Sequence, residues 1–164
     1  MNGVMRMRLL DRIAIITGAG NGIGREIAKA YAQEGAKVVV SDYIQEAGIE
    51  TANIITQAGF EAIFVPADVA KEADIENLIA ATVEKYGSVD ILVNNAGVSG
   101  GLADLNDISA EDWDHVMAVN LRAPFLASKS AFREMSKKGK GNIINIGSMA
   151  SLAAGRGGLP YTAS

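Results

Sequence analysis

Thr17-Gly18-Ala19-Gly20-Asn21-Gly22-Ile23-Gly24 follows the apolar run Ile13–Thr17 and opens an amphipathic segment. Where a buried strand runs into a helix, backbone N–H groups are unpaired and the helix dipole is positive, so an anion is favoured. Glycines allow the sharp turn and let a pyrophosphate approach the backbone. Counted from Gly18 the spacing is G-x-x-x-G-x-G; the commoner G-x-G-x-x-G fails because Ile23 stands at its last glycine. No Gly-Lys-Ser/Thr follows, which excludes a P-loop. The stretch reads as a dinucleotide-binding turn, against the plainer alternative of a tight turn with no ligand.

The same alternation continues outward. Residues 13–17, 37–41, 62–65, 91–93 and 142–146 are short runs rich in Val and Ile, nearly uniformly apolar, and are expected to be buried strands. Ile23, Ile27 and Tyr31 share one helical face, and Gly35 stands where a helix stops. Ile75, Leu78, Ile79 and Val83 form a second stripe at helical spacing. Ser109 with Asp112 resembles a capping box that opens a long pattern through Trp113, Val116, Met117, Leu121 and Phe125. Pro124 is expected to kink or divide that helix, and residues 153–159, with Gly155, Gly157 and Gly158, to form a flexible loop. Strand–helix repetition with short glycine connections predicts an α/β fold: a Rossmann-like, doubly wound parallel sheet with helices on both faces. No composition shift marks a second domain, so residues 1–164 are expected to form one dinucleotide-binding domain.

Composition narrows the chemistry. The chain has 164 residues, 15 Lys+Arg against 19 Asp+Glu, and a net charge of −4. That acidity argues against a nucleic-acid surface. The absence of cysteine excludes disulfides and thiolate chemistry, and the single histidine, His115, excludes a multi-histidine metal cage. No stretch approaches the roughly 20 apolar residues of a membrane span. The N-terminal arginines and the short run after them make a poor signal peptide. A cytoplasmic protein with no metal, no membrane and no nucleic-acid partner is expected.

Asp42 closes the second strand, 24 residues beyond Gly18. An acid there accepts hydrogen bonds from adenosine ribose hydroxyls and repels a 2′-phosphate. Ser41 and Tyr43 beside it are not basic, so NAD is expected over NADP. The plainer alternative for Asp42 by itself is an exposed acid in a strand-to-helix loop.

With these residues in view, the chain resembles the short-chain dehydrogenase/reductase family. Thr17 to Gly24 is similar to its T-G-x-x-x-G-[IL]-G turn, Asp68-Val69 to its adenine contact, and Asn94-Asn95-Ala96-Gly97 to its N-N-A-G motif. Asn120 resembles the helix asparagine of its catalytic tetrad. Ser148 and Tyr161 stand 13 apart, as the family's catalytic serine and tyrosine do, whereas Ser151 stands 10 away. Taken singly, Tyr161 reads as packing, Ser148 as an ordinary strand-end serine, Asn120 as a helix-packing residue and Asn94-Asn95 as a turn pair; their order and spacing together carry the resemblance. In the family's Y-x-x-x-K pattern the lysine would stand one position after Ser164, and the resemblance implies two further strands and a substrate loop after it.

The resemblance implies an oxidoreductase moving a hydride between a secondary alcohol or ketone and a nicotinamide. Tyr161 would act as acid/base, Ser148 would hold the substrate oxygen, and Asn120 would hold a water on the proton path. A free phenol titrates near ~10, so base work at neutral pH needs neighbouring positive charge. The cofactor would meet Gly18, Asn21, Gly22, Ile23, Gly24, Asp42, Asp68, Val69 and Asn95. The resemblance also implies a homo-oligomer built on the long helix, with Trp113, Phe125 and Phe132 expected in the core or a subunit contact. His115 is expected exposed, and Lys137, Lys138 and Lys140 to form a solvated helix end. A nucleotide-binding module without dehydrogenase activity is the alternative for a chain lacking that lysine.

Overall fold

In the computed structural model the five Val- and Ile-rich runs form one parallel sheet. The structure describes residues 7–101, 104–152 and 158–164. The strands are β1 (Ile13–Thr17), β2 (Lys37–Asp42), β3 (Ala62–Pro66), β4 (Ile91–Asn94) and β5 (Asn142–Asn145), in the spatial order β3-β2-β1-β4-β5. β1 is central: Ile15 lies opposite Val39 on one side and Leu92 on the other. The chain winds outward from β1 to β3 and then returns to place β4 on the opposite side. That reversal opens a crevice above the carboxyl ends of β1 and β4, the usual ligand position in such sheets.

The helices are α1 (Gly22–Gln33), α2 (Gln45–Gln57), α3 (Glu72–Tyr86), α4 (Ala110–Met117), α5 (Ala123–Lys138) and a short α6 (Leu159–Ala163). α1 and α2 cover one face of the sheet through Ala28, Ala32, Ala52 and Ile55 against Val38, Val40 and Val93. α3 and α5 cover the other through Ile75, Leu78, Ala127 and Ala131 against Ile15, Val39 and Leu92. The result is the expected Rossmann-like α/β fold.

Several expectations are corrected in detail. β5 is exposed along its length; among the described residues it pairs with β4 on one side. α1 meets the core through Gly24, Ala28 and Ala32, one position on from the expected stripe, which leaves Ile23 66% exposed. Small residues let the helix lie close to the sheet, so its bulkier side chains are displaced to the flanks. Of the two places expected for Trp113, Phe125 and Phe132, the core is excluded because they are exposed; the long helix buries Val116, Val119, Ala123 and Leu126 instead. Lys138 is not a free helix end, since its Nζ lies 2.8 Å from Asp90 Oδ1. Leu159 opens α6 rather than closing a loop, and the rest of that expected loop, 153–157, lies outside the described residues.

Two local readings match. Ser109 Oγ accepts the Asp112 N–H at 3.0 Å and caps α4. Pro124 divides the long helix: a π-helical turn, Ala118–Arg122, separates α4 from α5. Lacking an N–H, Pro124 cannot bond the carbonyl four residues back, and the backbone widens instead. Asn120 sits in that widened turn.

Candidate active site

The glycine turn is fastened to the end of β4. Thr17 Oγ1 accepts the N–H of Asn95 at 3.0 Å and of Ala96 at 3.1 Å. Asn95 Nδ2 donates to the carbonyls of Thr17 at 2.9 Å and Gly18 at 3.1 Å. Gly18 lies at φ +62°, and a Cβ there would come 2.8 Å from Ala96 Cα. A Cβ on Gly24 would run into the Gly18 carbonyl and Asn95 Nδ2. Two glycines are therefore required by close approach, and Asn95 acts on the turn as a brace.

A cleft of about 450 Å³ opens beside this turn. Gly18, Asn21, Asp42, Asp68, Val69 and Asn95 all line it, together with Ala96, Val119 and His115. Asp42 is 9% exposed, and its orientation is fixed by two backbone donors: Gly20 N–H to Oδ2 at 2.8 Å and Ile44 N–H to Oδ1 at 2.9 Å. Asp68 Oδ1 accepts the Ala70 N–H, and its own N–H donates to Asp74 Oδ2, which shapes the wall carrying Val69. Arg122 reaches across to donate to the Ala70 carbonyl. The volume, the apolar Val69 and Val119 walls, the carboxylate at one end and the open backbone of the turn suit the adenosine and phosphates of a dinucleotide. Gly22 (φ +54°) has nothing within 4 Å of an added Cβ, so its surface lies open; Ile23 and Gly24 start α1 beside it.

A second cleft of about 870 Å³ continues past the N-N-A-G segment and brings Asn120, Ser148 and Tyr161 together, with Ile23 at its edge. Asn120 pairs with the Val98 backbone in both directions: Nδ2 donates to the carbonyl, and Oδ1 accepts the N–H, each at 2.9 Å. Its Nδ2 also lies 3.0 Å from Ser164 Oγ, which donates to the Tyr161 carbonyl. The widened helical turn is thus connected to the helix carrying Tyr161. Ser148 Oγ accepts the Ala150 N–H at 3.2 Å, which leaves its hydroxyl hydrogen for an oxygen in the cleft. The Ser148 backbone carbonyl accepts the Ser151 hydroxyl, so Ser151 serves the turn. Asn94 Nδ2 donates to Asn145 Oδ1 and Ser128 Oγ, fixing the strand end that leads to Ser148.

A model described as short chain dehydrogenase matches residues 12–164. The chain belongs to the short-chain dehydrogenase family. It is 45% identical over 146 residues to an uncharacterized oxidoreductase of Thermotoga maritima, covering 89% of this chain and 57% of the relative. It is 41% identical to glucose 1-dehydrogenase 2 of Bacillus subtilis, covering 86% of this chain and 55% of the relative. Among solved structures, a 7α-hydroxysteroid dehydrogenase complexed with NADH and 7-oxo glycochenodeoxycholic acid superposes with a TM-score of 0.92. Its identity is 38%, covering 97% of this chain and 62% of that one. The chain therefore spans less than two thirds of the length of these relatives. They are oxidoreductases and dehydrogenases, which does not favour the bare nucleotide-binding module.

Sequence reasoning missed several residues that shape the site. Thr51, Arg25 and Arg122 bond the turn and its wall from distant elements, and no local pattern marks them. Among the described residues no helix is long and apolar enough to cross a membrane.

Proposed function

We propose that this chain carries the NAD(H) site and the catalytic side chains of an oxidoreductase that interconverts a secondary alcohol and a ketone. The observation that carries the reading is the convergence of Asn120, Ser148 and Tyr161 on one cleft that shares its Asn95–Val98 wall with the cleft beside the glycine turn. When bound, the nicotinamide supplies a hydride acceptor or donor. The Ser148 hydroxyl donates to the substrate oxygen and holds it beside Tyr161. In alcohol oxidation the Tyr161 oxygen takes the hydroxyl proton as the carbinol hydrogen leaves as hydride; in ketone reduction it returns that proton. Asn120, held to Val98 and Ser164, fixes the turn beneath Tyr161 and supports the water through which the proton reaches solvent.

Asp42 supports NAD over NADP. Its carboxylate is immobilised by Gly20 and Ile44, with Tyr43 rather than a cation beside it. A 2′-phosphate brought there would meet a fixed negative charge. Titration with NADH and NADPH should give tighter NADH binding. Asp42→Ala combined with Tyr43→Arg should move the preference toward NADPH by about 1 kcal/mol or more, the scale of one charged hydrogen bond. Native preference for NADPH overturns this assignment.

Tyr161→Phe in the full-length protein should lower turnover about 10²–10⁴-fold, the usual share of general acid–base catalysis. NADH affinity should stay within twofold. Near-native turnover sinks the acid/base role. The exposed faces of Phe125 and Phe132, each 64% exposed on α5, support a homo-oligomer formed along that helix, which sedimentation of the full-length protein tests. The substrate class that goes with this reading is a small-molecule alcohol or ketone.

A further inference from the structure

The carbonyl of Gly20 is held more heavily than a turn requires. Arg25 Nε donates to it at 2.8 Å, and a second guanidinium nitrogen donates to it as well. Thr51 Oγ1, fully buried on α2, lies 3.1 Å from the same oxygen and 2.9 Å from Arg25 Nε. Glu50, one position before, pairs with the Arg25 guanidinium at 2.6 Å. The Arg25 side chain is only 19% exposed although it is charged. α2 reaches the turn because Gly48, one helical turn before Thr51, lies flat on Phe64; a Cβ there would enter the ring. The N–H of Gly20 is tied to Asp42 Oδ2 at 2.8 Å.

The two sides of Gly20 are therefore fixed by different partners. In a trans peptide the C=O and the following N–H point in opposite directions. A Gly20 carbonyl drawn toward Arg25 and Thr51 turns the Asn21 N–H away from α2. Asn21 lines the first cleft, and its N–H meets no acceptor among the described residues. Glycine on the N-terminal side of this peptide leaves it free to flip, and a flipped peptide would aim the carbonyl dipole where the N–H now points. An anion is attracted by the first arrangement and repelled by the second.

We propose that Arg25, backed by Thr51 and Glu50, is a positioning residue that holds the Gly20–Asn21 peptide in the orientation that receives the cofactor pyrophosphate. The inference rests on the dinucleotide reading above. Arg25 touches neither cofactor nor substrate and acts only through the Gly20 carbonyl.

The test compares two probes on the full-length protein. ADP-ribose carries the pyrophosphate, and adenosine does not. Arg25→Ala should weaken ADP-ribose binding at least tenfold by calorimetry while adenosine affinity, followed by NMR titration, stays within twofold. Arg25→Lys should recover part of the loss, and Thr51→Val should reproduce a smaller share of it. Equal losses for both probes, or no loss for ADP-ribose, overturn the proposal. In the ligand-free protein, the amide resonances of Gly20 and Asn21 should shift or broaden in Arg25→Ala while the Ile15 amide is unchanged. Unmoved resonances overturn the clamp whatever binds. If the native protein binds no ADP-ribose, the dinucleotide reading and the pyrophosphate role fall together, and the resonances alone then decide whether Arg25 orients the peptide.

Discussion

The two ends of the central strand pair are joined by opposite chemistries. At the amino end β1 and β4 are stitched by a charge. Asp90 is 5% exposed, and its Oδ2 accepts the Ile13 N–H at 3.0 Å. Its Oδ1 meets Lys138 Nζ at 2.8 Å, with Arg12 3.7 Å away. At the carboxyl end the same strands are joined by neutral groups, the Thr17 hydroxyl and the Asn95 amide. A buried carboxylate is costly to desolvate, but once it is paired, removing it leaves its partners uncompensated and is strongly destabilising. The ionised groups at the glycine turn, Arg25 with Glu50 and Asp42, bind Gly20 on the side of α2 and β2. On the side of β4 the bonds are neutral, and they add no charge there to the field of the backbone amides that would meet an anionic ligand.

If that division is real, breaking each end should have separate consequences. Asp90→Ala should have the larger effect on stability, about 3 kcal/mol, because a buried N–H and a cation lose their acceptor. Urea denaturation measures this, and NADH affinity should be unchanged. A parallel loss of affinity would break the contrast. Burial by itself would raise the Asp90 carboxyl, but Lys138, the Ile13 N–H and Arg12 more than reverse it and hold the group below its ordinary value. A carboxyl lowered on folding contributes stability above its unfolded value near ~3.9, and the contribution is lost as pH falls through the folded value. The urea midpoint of the native protein should therefore fall steeply below about pH 4. In Asp90→Asn this part of the acid limb should be absent.

Gly24→Ala comes next, at about 2 kcal/mol, because the new methyl meets the Gly18 carbonyl and Asn95. Here NADH affinity should drop about tenfold or more, the 1.4 kcal/mol expected from displacing the turn that receives it. Thr17→Val should have the smallest effect, about 1 kcal/mol, by removing the shared acceptor of the Asn95 and Ala96 amides. Its affinity loss should exceed that of Asp90→Ala although its stability loss is smaller. That crossing of the two scales is the sharpest check on the comparison.

The sheet was legible in the sequence because Val and Ile runs buried on both faces, such as Lys37–Asp42, leave a continuous apolar signal. α2 was not, because among the residues it buries, Gly48, Thr51, Ala52 and Ile55, only Ile55 is a large apolar side chain, while Ile49 and Ile54 face outward. Its buried surface is small and partly polar, so periodicity does not mark it. The same holds at the site. Gly18, Asn95 and Tyr161 could be singled out because they fall in short segments that resemble family motifs. Asp90 and Arg25 could not, since their partners lie 77 and 26 residues away and only folding brings them together. Tyr86 is a similar case. Packing and the nearby Glu61 push its phenol up to about 12, which nothing local in the sequence foretells.

The bond from Thr17 to Asn95 also sets an order of events during synthesis. Its partners are 78 residues apart. A nascent chain that has released β1, α1 and β2 holds every glycine of the turn but not Asn95 and Ala96, which join it to the end of β4. Closing so long a loop is entropically slow and follows the local helices. The joining of the glycine turn to β4 is thus among the late features to mature, and a ligand that selects the closed turn would act on the last steps of folding rather than the first.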